Sequence, residues 1–239
     1  MTRRILGLET SSPDCRVAVL TVTGRPRSLA EALRSGSVVE RSGASEFARH
    51  SDVVYGLLEG ALRGARIRLA DLDGIAVSIG PGSFTGLRVG LTVAKVLARF
   101  GGIGLAAVPT LEAMAAEGMA GSTETVCVPS VDARRGEVYA AVYRRAGTRV
   151  RKTGGPWVAG PGRLAALAPA GARSVTGAPR AATVAALGLL RLQAGRGVDA
   201  ARLVPLYLRR PQAVEQRLAG RRTSIRRDRR GSDRPGRPG

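Results

Sequence analysis

Two segments in the first half of the chain carry apolar residues at helical spacing. In residues 46–65, the apolar positions fall within about 80° on either side of Val54 when residues are placed 100° apart, and Val53 and Tyr55 widen this face. In residues 83–99, the polar positions form only a narrow stripe, made by Arg88, Thr92, Lys95 and Arg99. Both helices are more apolar than packing on one face of a sheet requires, which predicts that a further surface covers them.

Small residues recur at every fourth position of the second helix. This row comprises Gly82, Gly86, Gly90, Ala94 and Ala98. Small side chains let another backbone approach a helix closely, so the row predicts a close contact on that side. The contact is either with a second element of the same domain or with another polypeptide, and the pattern leaves both open.

The loop before this helix is rich in glycine and contains a proline, which indicates a specific turn. Residues 80–88 read GPGSFTGLR and follow the β-branched segment 74–79, which predicts a buried strand. The first two glycines permit backbone angles that other residues avoid, and the proline between them presets φ. We expect the hydroxyl of Ser83 or Thr85 to cap the first turn of the helix.

The order of predicted elements in residues 1–106 is that of a ribonuclease-H-like half. Three strands joined as a meander come first, followed by the first helix, a strand, the second helix and a closing strand. The predicted strands cover residues 4–9, 16–22, 34–40, 74–79 and 104–108.

Residues 107–210 repeat this order in a shorter form. The predicted strands cover residues 125–131, 137–143, 148–152 and 174–176, and the predicted helices cover 161–167 and 180–193. Residues 203–208 are expected to pack back onto the domain as the last ordered piece. The predicted fold class is therefore α/β, with two βββαβα-type halves of which the second is abbreviated.

The positive charge is concentrated partly in the C-terminal segment. The chain has 239 residues and a formal net charge of +20, and residues 209–239 hold eleven arginines against three acidic residues. No aromatic residues alternate with these arginines to stack on bases, so the pattern does not predict sequence-specific nucleic-acid binding. We expect residues 211–239 to form a basic, disordered tail.

Three further features bear on cellular context and on metal chemistry. No apolar run approaches the roughly 18 residues of a membrane span, and Glu9 and Asp14 interrupt the N-terminal apolar segment, so we expect an untargeted, cytoplasmic protein. Cys15 and Cys127 lie in predicted strands and are expected to be buried thiols. His50 is the only histidine and lies on an apolar face, which favours a core or interface residue over a metal ligand.

Four motifs resemble one family. They are LGLETSS at residues 6–12, GPGSFTGLRVG at 80–90, DARRGEVY at 132–139 and PLYLR at 205–209. Over residues 4–210 the chain is similar to the TsaB (YeaZ) family of the actin, sugar-kinase and heat-shock-ATPase superfamily. The resemblance implies that superfamily's fold and a role in the threonylcarbamoyl modification of the adenosine next to the anticodon in tRNAs that read ANN codons.

The resemblance also implies which partners the chain has. TsaB proteins are non-catalytic subunits, so it implies a heterodimer with TsaD, recruitment of the ATPase TsaE, a homodimer when the chain is isolated, and contact with tRNA only through the complex. On this basis the two over-apolar helices are the expected interface. The expected contact residues are His50, Val54, Leu57, Leu58, Ala61, Phe84, Leu87, Gly90, Leu91 and Ala94.

No catalytic residue, metal ligand or cofactor is expected in this chain. In the TsaD branch, two histidines four residues apart on the helix after the loop help to bind a metal, whereas the corresponding residues 108–114 contain no histidine. Glu112 and Glu117 are more simply expected to face solvent.

A nucleotide-binding alternative stays open at two loops. Glu9, Thr10 and Ser11 resemble the hairpin that faces the phosphates in kinase-like enzymes of this superfamily, and Asp132 lies in the equivalent turn of the second half. The alternative function is a stand-alone ATP-dependent small-molecule kinase or carbamoyltransferase of the same fold. A third possibility is a basic RNA-binding module that uses the arginine-rich tail.

Overall fold

The first half of the chain folds into a five-stranded mixed sheet. Its strands are β1 (Thr2–Glu9), β2 (Asp14–Thr23), β3 (Gly36–Ala44), β4 (Gly74–Ser78) and β5 (Gly104–Val108). They lie in the order β3-β2-β1-β4-β5, with β1 antiparallel to β2 and parallel to β4. The computed structural model describes residues 1–44 and 50–208, without the side chains of His50 and Pro161.

Helices cover both faces of this sheet because its central strands are apolar on both sides. The described residues form the helices α1 (Leu29–Ser35), α2 (His50–Ala65), α3 (Phe84–Gly101), α4 (Thr110–Met119), α5 (Pro161–Leu167) and α6 (Ala181–Gln193), and a 3₁₀ turn lies at Leu69–Asp71. Of these helices, α5 packs on the second half of the chain and not on this sheet. Leu6 and Leu8 of β1 pack in the core cluster that contains Leu58 of α2 and Leu91 of α3. Ile5 packs instead in the cluster with residues of α1, α4 and α6. Successive side chains of β1 point to opposite faces of the sheet, so they contribute to two separate cores, one on each face.

The second half forms a four-stranded sheet. Its strands are β6 (Val126–Arg134), β7 (Glu137–Ala146), β8 (Arg149–Ala159) and β9 (Arg173–Thr176), in the order β8-β7-β6-β9. With α5 and α6 they follow the order βββαβα, so the predicted α/β class and abbreviated second half are confirmed. The predicted boundary at residue 106 falls within β5, and α6 packs on the first sheet.

The loop at residues 80–88 has the predicted local structure. Gly80 has a φ of 103°, which favours glycine, and the Ser83 hydroxyl caps α3 by accepting a hydrogen bond from the Gly86 amide at 3.2 Å. The Ser83 amide also donates to the Ser11 carbonyl at 2.7 Å. The loop therefore fixes the start of α3 against the turn between β1 and β2.

Two predicted strands are present but have different bounds. The predicted strand at 34–40 begins only at Gly36, because residues 29–35 form α1, whose first turn is capped by the Ser28 hydroxyl. The strand expected at 148–152 continues to Ala159. Gly154 and Gly155 suggest the end of a strand in the sequence, but irregular pairing with β7 between Ala140 and Tyr143 accommodates them within β8.

The two glutamates of α4 do not simply face solvent, which corrects that prediction. Glu112 pairs with Arg191 of α6 at 2.7 Å, and both side chains are largely buried. Glu117 accepts hydrogen bonds from the Arg180 amide and from the Thr183 hydroxyl, both at 3.0 Å. Both carboxylates therefore connect α4 to α6 or to the residue that precedes it.

Other predictions concern the cysteines and the chain end. Cys15 and Cys127 are buried, as expected, and burial raises the pKa of the Cys127 thiol to about 11. Residues 203–208 pack back on the first half, since Leu203 is buried and the Leu206 amide donates to the Ile79 carbonyl at 2.7 Å. The predicted tail at 211–239 lies outside the described residues. Across residues 1–44 and 50–208, no helix has the length and apolar character needed to cross a membrane.

Candidate partner-binding surface

Large apolar side chains remain exposed on the outer sides of α2 and α3. Phe100 is 86% exposed, Tyr55 69%, Val96 47% and Phe84 39%. These values contrast with the buried faces of the same helices, where Val54 and Ala94 have no exposed surface. Neither helix is therefore fully covered by its own chain.

The exposed apolar residues of α3 follow helical spacing. Val89, Val93, Val96 and Phe100 lie at intervals of four, three and four, which places them within about 60° of one another around the helix axis. Val89 and Val93 are half-buried, whereas Val96 and Phe100 are exposed. We call these four residues the outer stripe. It runs along much of α3, beside the stripe of exposed polar residues predicted from the sequence.

A small aromatic cluster lies at the start of α3. The rings of Phe84 and Tyr207 are stacked with centroids 5.3 Å apart, and the Arg88 guanidinium lies 4.3 Å from the centroid of the Phe84 ring. Arg88 Nε also donates to the Tyr207 hydroxyl at 3.3 Å. Stacking and cation–π contact hold these side chains at the surface, where aromatic and arginine side chains commonly anchor interfaces.

The predicted contact residues lie mostly in the core of this chain, which corrects their assignment. The faces chosen from the sequence are the most apolar faces, and a helix turns that face toward its own sheet. The residues buried in the chain's own core are Val54, Leu58, Ala61, Leu87, Gly90, Leu91 and Ala94. Leu57 is half-buried, Phe84 is exposed, and the His50 side chain lies outside the description.

The row of small residues in α3 makes its close contact with the chain itself. A Cβ atom at Gly86 would lie 2.0 Å from the Thr10 carbonyl oxygen, and one at Gly90 would lie 2.1 Å from Thr10 Oγ1. Ala94 is fully buried on the same side. The small residues therefore let α3 pack closely against the turn after β1. A large side chain at one of these positions would disrupt the fold as well as any complex.

The candidate phosphate-facing residues of the first half are buried beneath this helix. Glu9 is completely buried and accepts hydrogen bonds from the Ser11 amide and from the hydroxyls of Ser11 and Ser78. Burial raises the pKa of the Glu9 carboxyl, although these hydrogen bonds act in the opposite direction. Thr10 Oγ1 is also buried, with no hydrogen-bond partner among the described residues. These side chains brace the α3 loop and are not exposed at a groove.

Asp132, the candidate of the second half, has a local role. Its side chain is 68% exposed and accepts a hydrogen bond from the Arg134 amide at 2.9 Å, which stabilises the turn between β6 and β7. Within the described parts of the chain, no three His, Cys, Asp or Glu side chains are grouped so that they could hold a metal ion.

A protein-family model provides the decisive comparison. The model described as TsaD, tRNA N6-adenosine threonylcarbamoyltransferase, matches residues 45–213, which include α2, α3 and the loop between β4 and α3. The chain belongs to this family. Its similarity to individual proteins identifies the TsaB branch, which confirms the resemblance seen in the sequence motifs.

Two curated relatives show the extent of the sequence similarity. The chain is 46% identical over 74 residues to the tRNA threonylcarbamoyladenosine biosynthesis protein TsaB of Bacillus subtilis, an alignment that covers 31% of each protein. It is 39% identical over 163 residues to an uncharacterized protein of Mycobacterium tuberculosis strain H37Rv, covering 64% of this chain and 72% of the relative. The aligned segment thus spans about a third of the Bacillus protein.

The solved structure of YeaZ from Pseudomonas aeruginosa has the same fold. It superposes with a TM-score of 0.69 at 22% sequence identity, over 86% of this chain and 100% of the YeaZ chain. This similarity shows that the chain shares the YeaZ fold over most of its length, in agreement with the predicted α/β class.

Phe84 was predicted as a contact residue and is exposed, whereas Val96, Phe100 and Tyr207 on the same surface were not predicted. The spacing of the outer stripe was present in the sequence, but it is a secondary pattern next to the stronger apolar face that packs on the sheet. Tyr207 belongs to the quoted PLYLR motif, yet its contact with Phe84 joins residues 123 positions apart, which helical periodicity does not report.

Proposed function

We propose that this chain is a non-catalytic scaffold subunit that binds TsaD through the outer sides of α2 and α3. The observation that carries the proposal is the exposure of Phe100, Tyr55, Val96 and Phe84 on these two helices. Exposed apolar residues that form a continuous stripe commonly mark protein interaction sites. In the complex, TsaE would be recruited and the threonylcarbamoyl group would be transferred to tRNA on TsaD.

The relatives supply the identity of the process. Proteins named for tRNA threonylcarbamoyladenosine biosynthesis are similar to this chain in both Bacillus subtilis and Escherichia coli. The family model carries the name of the transferase itself. Membership of the same family supports a partner of related fold, since two related proteins can pair equivalent helices across a pseudo-twofold axis.

The energetics favour such a pairing over an isolated chain. Two helices packed against two helices bury an area on the order of 1,500 Å², which is the size of a standard stable interface. The outer stripe would lie near the centre of this area, and the Phe84–Arg88–Tyr207 cluster would lie toward the start of α3. Alone, the chain would cover part of the same surface by forming a homodimer.

A subunit without catalytic groups can still raise the rate of the reaction. If it binds the active conformation of TsaD more tightly than other conformations, it increases the population of that conformation by the difference in binding free energy. The bound surface of this chain therefore matters for activity even though no residue here touches the reacting atoms.

The test is reconstitution of tRNA modification with TsaD, TsaE and the synthase that supplies threonylcarbamoyl-adenylate. We expect modified adenosine to form only when this chain is present, and we expect Val96→Arg to abolish the stimulation. Ala165→Arg on the exposed surface of α5 is the matched control and should leave it unchanged. Modification by this chain without TsaD would overturn the proposal and favour the stand-alone enzyme.

A further inference from the structure

We propose that a cavity in this chain, separate from the partner-binding surface, binds a small amphiphilic anion: an apolar body that carries one carboxylate or phosphate group. The cavity has a volume of about 320 Å³ and lies between α1, α4, α6 and the hairpin that joins β7 to β8. This volume falls at the lower end of the range of natural small-molecule sites.

The walls of the cavity are largely apolar. Leu29 of α1, Ala116 and Met119 of α4, and Leu187 and Leu190 of α6 line it. Leu29, Ala116 and Met119 are buried residues of the core, so these side chains are held in place by packing. Such walls would bind the apolar part of a ligand by removing it from water.

Four arginines give the cavity its preference for an anion. Arg145, Arg149, Arg191 and Arg196 line it with Glu112, so four positive charges face one negative charge and the formal charge is +3. Among the residues that the structure describes, no carboxylate forms an ion pair with Arg145, Arg149 or Arg196. Guanidinium groups bind carboxylates and phosphates through paired hydrogen bonds.

Two of the arginines are fixed by the fold. Arg145 Nη2 donates to the carbonyl oxygens of Met119, Ser122 and Glu124 at 2.8–3.0 Å, which joins β7 to the end of α4. Arg191 donates to Glu112 at 2.7 Å, while its other terminal nitrogen is buried and has no hydrogen-bond partner in the described chain. The positive charge at this site is thus partly preorganised, which reduces the entropy lost on binding.

The outer two arginines provide the adjustable part of the site. Arg149 begins β8 and Arg196 follows α6, and both residues are exposed. They lie on the rim, where their side chains can close on an anionic head group while the apolar body occupies the cavity. The site thus favours a ligand with both parts, since a purely apolar ligand would not pair with the arginines and a purely anionic one would not contact the apolar walls.

The site is independent of the proposed TsaD interface. Its apolar residues Leu29, Ala116 and Leu187 pack with the core on the face of the first sheet opposite α2 and α3. A failure of anion binding would therefore leave the partner assignment untouched, and the reverse also holds.

The test is calorimetric titration of the full chain at 0.15 M NaCl with octanoate and with octyl phosphate. At least one should bind, and 1-octanol, acetate and inorganic phosphate should each bind at least tenfold more weakly. The comparison of the two amphiphiles distinguishes a carboxylate from a phosphate head group. Arg149→Gln combined with Arg196→Gln should weaken binding at least tenfold, whereas Arg163→Gln on α5 should not.

Two filling variants locate the binding. Ala30→Phe and Ala120→Phe start from exposed residues that line the cavity, one in α1 and one directly after α4, so each should fill it without disrupting the core. Either should abolish binding, and Ala165→Phe on α5 should retain it. The proposal is overturned if neither amphiphile binds at millimolar concentration, if both folded filling variants bind as wild type does, or if inorganic phosphate binds as tightly as the amphiphiles.

Discussion

Truncation of two residues of the outer stripe should separate binding from folding. We consider the double variant Val96→Ala with Phe100→Ala. Complete burial of a large apolar side chain contributes about 1.5–3 kcal/mol. Because Val96 is 47% exposed and Phe100 86% exposed, their additional burial in a complex is worth about 3 kcal/mol together. The dissociation constant for TsaD should therefore rise on the order of a hundredfold.

The stability of the isolated monomer should change little. Alanine is the best helix former, and exposed side chains away from special features contribute within about 0.5 kcal/mol. Urea unfolding of the double variant should thus match wild type, while calorimetric titration with TsaD shows the weaker binding. Val198→Ala, which truncates an exposed valine outside α2 and α3, is the control and should bind normally. Binding of the double variant within twofold of wild type would refute the reasoning.

Three further predictions concern the scaffold under this surface. Burial raises the pKa of Glu9, so above about pH 4.5 the folded wild type holds a proton that the unfolded chain loses, and wild type becomes less stable as pH rises. Glu9→Gln lacks this proton, so its free energy of unfolding should increase relative to that of wild type over the same range. A difference between the two free energies that stays constant in urea unfolding from pH 4 to 8 would contradict this prediction. Gly86→Ala should lower the free energy of unfolding by about 2 kcal/mol or more, because its Cβ would clash with Thr10. Gly56→Ala has open space around its Cβ and should raise the free energy of unfolding by about 0.5–1 kcal/mol. Equal effects of the two substitutions in urea unfolding would contradict the packing account. Ser83→Ala should lose about 1 kcal/mol through the missing α3 cap, and an unchanged thermal midpoint would count against that cap.

The sequence predicted the parts of the fold that depend on local periodicity and turn chemistry. β1, β2, β4, α3 and the loop at 80–88 have strong signals, because buried strands and glycine-rich turns restrict which residues are allowed. Helix α1 was missed because it has only seven residues, and packing of Leu29 and Ala32 in the core stabilises it more than intrinsic propensity does.

The orientation of the apolar helices could not be obtained in the same way. Periodicity identifies an apolar face, but it does not tell whether that face packs on the chain's own sheet or on a partner. In α3 the dominant face, with Leu87 and Leu91, packs on the sheet, and the weaker stripe with Val96 and Phe100 remains exposed. Assigning the interface required the position of the sheet, which depends on contacts between distant segments.

The phosphate-facing candidates were misjudged for a related reason. Glu9 and Ser11 have residue types suited to an anion-binding turn, but their environment depends on α3 lying directly over them. The close approach at Gly86 places this helix there. The motif at residues 6–12 thus indicates the turn after β1, but it does not indicate that α3 covers this turn.

Site-specific photo-crosslinking tests the central claim most directly. A benzophenone side chain placed at position 96 on α3 lies on the proposed interface, and the same group at position 165 on α5 lies elsewhere on the surface. Irradiation of each variant mixed with TsaD should give a covalent adduct of the two proteins from position 96 and none from position 165. An adduct from position 165 alone, or no adduct from position 96 while the complex still forms, would contradict the account.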